Sequence, residues 1–169
     1  MRYCLLVGMI LIFSGCERKI ELPNCVDTFS PKDYGRFLVN TTKGLAQHVS
    51  GSVWYRCVAG QTFRGRKCLG DPIRMTRLEA ENYVQEFSEK TGETWRLPSS
   101  DEFKKLIETS CQSPAVNPNV FPNLPVDNFW TSDKSWHGDK FGCSVFSYRG
   151  SSSCRQASAI KLSVLLMKN

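Results

Sequence analysis

Eight cysteines and two histidines are the residues of this chain best suited to chemistry, and their spacing decides which chemistry that is. Six of the cysteines, Cys25, Cys57, Cys68, Cys111, Cys143 and Cys154, lie beyond the first twenty residues. There is no C-x-x-C pair, and His48 and His137 lack ligand spacing, so no metal site is expected. An even set of cysteines reads instead as a disulfide framework. Proximity pairs Cys57 with Cys68 and Cys143 with Cys154, which leaves Cys25 with Cys111. The chain carries no G-x-S-x-G, no H-E-x-x-H, no phosphate loop and no dinucleotide fingerprint. With the cysteines assigned to bridges, no catalytic residue and no cofactor are expected.

The remaining reactive surface is cationic. Arg56, Arg64, Arg66, Lys67, Arg74 and Arg77 fall within one short stretch, several of them inside the Cys57–Cys68 loop. A disulfide-held loop displaying Phe63-Arg64-Gly65-Arg66-Lys67 suits sulfate, phosphate or carboxylate groups, through attraction that salt screens. Trp136, beside His137 in a polar loop, is the aromatic best placed to stack on a sugar ring. Arg64, Arg66, Lys67, Arg74, Arg77 and Trp136 are therefore the expected ligand-binding residues. The formal charge of +6 favours anionic partners in general: glycans, lipopolysaccharide, nucleic acid or phospholipid. It is too mild to select among them.

The amino terminus decides where this chemistry happens. Arg2 precedes an apolar run from Leu5 to Phe13, followed by Ser14, Gly15 and Cys16. A basic start, an apolar middle and small residues at the end form a secretory signal. The run is about half the length of a membrane span. A signal ending small-small-Cys resembles the bacterial lipoprotein type, which implies that Cys16 is diacylated and becomes the first residue. Two or more acyl chains hold a protein stably on a membrane, where one does not. Glu17, in the place where Asp favours the inner membrane, points by the same resemblance to the outer membrane. Removing residues 1–15 leaves 154, enough for one domain with a real core, and the loss of Arg2 lowers the charge to +5.

The elements that position these groups follow from periodicity and caps. Residues 16–34 read as a lipidated tether and 35–169 as one domain. A first helix begins at Thr76, where Thr76 and Glu79 form a capping box, and carries Ala80, Tyr83, Val84 and Phe87 on one face. Gly92 stops it. A second begins after Pro98 with a Ser99–Glu102 box, presents Phe103, Leu106 and Ile107, and ends near Cys111. Residues 51–58 read as a strand and the segment 141–150 as another short one, half of a hairpin closed by Cys143–Cys154. The C-terminal strand alternates Ile160, Leu162, Val164 and Leu166 on one buried face. Four prolines make residues 112–128 irregular. Trp95, Leu97, Phe129 and Trp130 are expected in the core, and Arg96 in a half-buried ion pair. The class is α+β: two helices packed on a small antiparallel sheet, with long disulfide-held loops.

Four blocks, VWYRCVAGQTF…CLG (53–70), TGETWRLPSSDEFKKLIE (91–108), SCQSPAVNPNVFPNLP (110–125) and FWTS (129–132), occur in an order that resembles one bacterial family. It is typified by the C-terminal domain of the Legionella collagen-like adhesin. The resemblance covers about residues 36–169. It implies a C-type-lectin-like fold and an exported or lipid-anchored protein, and the family's best-known activity is adhesion to sulfated glycosaminoglycans. Three features depart from the pattern. An insertion separates Gly44-Leu45 from Trp54, Arg77 stands where the first helix usually has Trp, and IKLSVLLMK replaces V-R-x-V-R. The calcium motifs of sugar-binding C-type lectins are absent. Two readings result. The first is a lipid-anchored, non-catalytic adhesin-like module for an anionic glycan or other surface polymer. The second is an accessory lipoprotein docking to protein partners of an envelope assembly such as a pilus or secretion apparatus. A nucleic-acid partner is not expected.

Overall fold

A computed structural model describes residues 21–168. The signal, Cys16 and the first part of the tether lie outside the described residues. In chain order the elements are α1 (Cys25–Thr28), β1 (Phe37–Asn40), β2 (Leu45–His48), β3 (Val53–Tyr55), β4 (Thr62–Arg64), β5 (Lys67–Leu69), α2 (Arg77–Thr91), β6 (Trp95–Arg96), α3 (Ser100–Lys104), β7 (Asn128–Lys134), β8 (Phe141–Phe146), β9 (Ser151–Ala157) and β10 (Met167–Lys168). They build three antiparallel sheets: β1-β2-β3-β10-β6, the β4-β5 hairpin, and β7-β8-β9. The architecture is α+β with few helices. None of these helices is long and apolar enough to cross a membrane.

The bridges are Cys25–Cys111, Cys57–Cys68 and Cys143–Cys154, the set that proximity pairs. Cys25–Cys111 fastens the start of the described chain to the loop after α3. Around it, Cys25 N–H donates to Gln112 O and Gln112 N–H to Pro23 O. Further along, the Asn117 and Asn119 amides donate to Asp33 O, and Asn119 also to Ser30 O. Residues 23–34 are thus stitched to the proline-rich loop. That loop holds no helix, yet it buries Ala115, Val116, Val120, Phe121 and Leu124.

Helix α2 forms as its caps dictate. The Thr76–Glu79 capping box is complete, and Gly92 closes the helix in the left-handed region at φ +67°. Its Tyr83 stacks on Phe87, and Phe87 meets Tyr55 and Trp95 on the five-stranded sheet. Helix α3 corrects the sequence expectation. Its capping box is complete, but it ends at Lys104 rather than near Cys111. Ile107 instead pairs with Val116, and Glu108 N–H donates to Ala115 O, so bonds to the proline-rich loop replace helical ones. Phe103 and Leu106 still reach the core.

The C-terminal strand is a second correction. Ile160 is exposed, and everything from Leu162 to Met167 is buried, on both faces. Leu162, Val164 and Leu166 enter one apolar cluster with Met75, Trp95 and Trp130. Leu165 and Met167 enter another with Trp54, Phe103, Phe121 and Phe129. The segment runs between two cores, bonded to Met75, Ala59 and Tyr55 on one side and to Asn128 and Trp130 on the other.

Arg96 lies between these cores and solvent, where its guanidinium forks onto Glu102 with two bonds of 2.7 Å. Glu102 also accepts from Ser99 N–H at 2.8 Å. The Arg96 bonds, then the Ser99 bond, hold its carboxyl down to about 2, against an ordinary 4.5. A carboxyl depressed in the folded state stabilises above its unfolded value, and that stabilisation fades as pH falls from 4.5 toward 2. Replacing Glu102 by Gln should therefore cost about 1–3 kcal/mol at neutral pH. Urea melts of the two proteins should converge toward pH 2; a gap that stays constant with pH contradicts this ion pair.

Candidate binding surface

The β4–β5 hairpin turns through Gly65 and Arg66, both at positive φ (+59° and +67°), as a two-residue type I′ turn requires. Arginine is a poor choice for this backbone region, where Gly, Asn or Asp is favoured. Arg64 and Lys67 face each other across the turn. Like charges placed directly opposite repel. All three cations are exposed, and no carboxylate pairs with any of them among the described residues. The Cys57–Cys68 bridge pins the base of the hairpin, and Tyr55 Oη accepts from Phe63 N–H at 2.9 Å. The result is a rigid, uncompensated, triply cationic tip.

The other basic residues of the sequence cluster do not join it. Arg56 is buried beneath Phe63, donating to Val120 O and Asn119 O at 2.7 Å each, and burial pushes its guanidinium below the usual arginine range. Arg74 pairs with Asp127 at 3.0 Å. Arg77 pairs with Glu81 at 2.7 Å, donates to Thr131 O, and lies over the Trp130 ring. In each case the partner sits four to 64 residues away along the chain, and the tertiary structure alone supplies most of them.

Trp136 stands on the β7–β8 turn, 80% exposed. Leaving most of an indole in water forgoes about 4 kcal/mol relative to burial. The turn is nonetheless braced. Ser135 Oγ donates to Cys154 O at 2.6 Å, and Ser158 Oγ donates to Asp139 O. Beside Trp136, a cleft of about 510 Å³ opens between the start of α2 and this turn. Arg77, Asp133, Lys134, Asp139, Phe141 and Ser158 are among its walls. Sequence reasoning singled out Arg77 only as part of the basic cluster, and it missed the carboxylates, whose approach to α2 has no local signature.

A small α+β domain braced by three disulfides is consistent with an extracytoplasmic location, since such bridges persist in oxidising compartments. The model of the Lcl C-terminal domain matches residues 45–165, and the chain belongs to that family, an adhesin-associated domain. No curated protein and no solved structure gives a significant match to the chain. Residues 46–53, between Leu45 and Trp54, form most of β2 and the turn into β3.

Proposed function

We propose that this chain is a lipid-anchored, non-catalytic adhesin-like module of the outer membrane whose β4–β5 hairpin binds an anionic glycan. A C-type-lectin-like scaffold, in which loops and short hairpins project from a compact disulfide-braced body, fits this reading. The observation that carries it is the unpaired triad of Arg64, Arg66 and Lys67 at a turn whose geometry disfavours arginine and whose charges repel. A polyanion relieves that repulsion. The small-small-Cys ending of the signal supports the anchor, and the six bridged cysteines leave no thiol among the described residues for a nucleophile.

Heparin, a soluble sulfated polymer, tests the hairpin. Each exposed ion pair is worth about 0.5–1 kcal/mol, so replacing Arg64, Arg66 and Lys67 by Ala together should weaken heparin binding about tenfold to a hundredfold. The affinity of the unaltered protein should fall steeply with added salt. Arg74→Ala, which breaks a pair with Asp127 instead, should change heparin binding far less. If the triple variant is retained on heparin as strongly as the parent, the hairpin is not the glycan site. Unchanged retention together with stoichiometric recovery of an envelope protein would replace this reading with the accessory one.

A further inference from the structure

We propose that the cleft beside Trp136 is a second binding site, one that takes an uncharged pyranose unit of a glycan. The site rests on the reading of the domain as a glycan binder, but its chemistry differs from that of the hairpin. Trp136 is the most exposed large apolar side chain of the described residues. Its ring is nevertheless held in place. It packs against His137 at 4.2 Å between centroids, and His137 meets the edge of Phe141 at 5.9 Å. His137 Nε2 accepts from Arg155 Nε–H at 3.1 Å, which ties the ring to β9. Arg155 comes from β9, next to Cys154, and the Cys143–Cys154 bridge locks that strand to β8. An exposed but pre-set aromatic loses little conformational freedom on binding.

Ser135 and Gly138, on either side of the Trp136–His137 pair in the chain, line the cleft, as does Phe141, which His137 touches, so one turn carries both the aromatic pair and part of the cleft wall. Within the cleft the charges nearly cancel: Arg77 and Lys134 against Glu81, Asp133 and Asp139. Arg77 and Glu81 already satisfy each other. Asp139 carboxylate and Lys134 ammonium have no hydrogen-bond or ion-pair partner of their own among the described residues. A sulfate entering this space would meet carboxylates. A neutral sugar would not be repelled by them, because its hydroxyls both donate to carboxylates and accept from the ammonium, while its C–H face suits an indole. The volume is in the range of small-ligand sites.

The test uses the full chain, purified in a detergent without a sugar headgroup, and three neutral probes: cellohexaose, chitohexaose and maltohexaose. Saturation-transfer NMR and calorimetry should find at least one bound with Kd between about 10 μM and 1 mM. Trp136→Ala should weaken that binding about tenfold or more, in line with loss of a central aromatic contact. Raising NaCl to about 0.5 M should change it less than about twofold, because no net charge drives it. Heparin retention of Trp136→Ala should match the parent. Circular dichroism of this variant should be unchanged, since the side chain is mostly in solvent. Absence of binding by all three probes at about 5 mM overturns the site, as does binding that Trp136→Ala leaves intact or that salt abolishes. The two sites fail separately. Heparin binding without hexaose binding removes only this cleft, and hexaose binding without heparin binding removes only the hairpin.

Discussion

Replacing Cys25 and Cys111 together by Ala should cost this domain about 4–5 kcal/mol, more than the loss of either other bridge. The reason is the length of chain closed. This bridge spans 86 residues, whereas Cys57–Cys68 and Cys143–Cys154 each span 11. In the chain-entropy account, cross-linking removes disorder from the unfolded ensemble as the logarithm of loop length, giving about 4–5 kcal/mol for the long loop and about 3 for each short one. The loss also loosens the seam where residues 23–34 meet the proline-rich loop, because the bonds between Cys25, Gln112 and Pro23 depend on that register. Domains of this size are stable by only about 5–15 kcal/mol. Guanidinium melts of the double variant under oxidising conditions should show a large fall in midpoint. A smaller loss than that of Cys143/Cys154 replaced in the same way contradicts the loop argument.

Trp130→Ala should destabilise by about 3–5 kcal/mol, the range for removing a large aromatic from a closed core. The ring is fully buried, and its Nε1–H donates to Met75 O at 2.7 Å. Truncation therefore leaves a cavity and strips Met75 O of one of its two donors, Leu162 N–H remaining. The site has little room to collapse. A Cβ at Gly142 would lie 2.8 Å from the ring, so the facing strand is already at the limit of approach. Trp130 also joins the sheets, since its N–H donates to Ser163 O on the C-terminal segment. Trp130→Phe keeps much of the volume but not the donor, so it should cost about 1–3 kcal/mol. Equilibrium unfolding in urea checks both values. A loss below about 1 kcal/mol for Trp130→Ala would mean that the second core is not packed around this ring.

The local signals of the sequence translated directly into structure. Both capping boxes form, Gly92 terminates α2, and the short-range cysteine pairs close as spacing suggests, because each involves residues that meet before the chain travels far. The ends of elements did not translate. The pattern Phe103, Leu106, Ile107 fits a helix, but after Lys104 the backbone keeps only tight i→i−3 turns through Ile107, and Glu108 N–H bonds across to Ala115 O. The C-terminal alternation predicts a strand over 160–166, but only Met167–Lys168 form one, and with a core on each side both sets of residues are buried, which a one-faced pattern cannot report.

The candidate site divides in the same manner. Composition and spacing alone place a run of cations near a disulfide and an unexplained Trp136, and the blocks of motif place the chain in its family. Which cations are available was settled by the fold. Arg56, Arg74 and Arg77 find a carbonyl or carboxylate brought to them from elsewhere, while Arg64, Arg66 and Lys67 project on a two-residue turn too short to carry a counter-charge. The cleft beside Trp136 exists only because β7, its turn and the start of α2 converge. Residue identity determines what a group can do. Its partners, and so its freedom to do it, are set by contacts between distant segments, which leave no trace in the local order of residues.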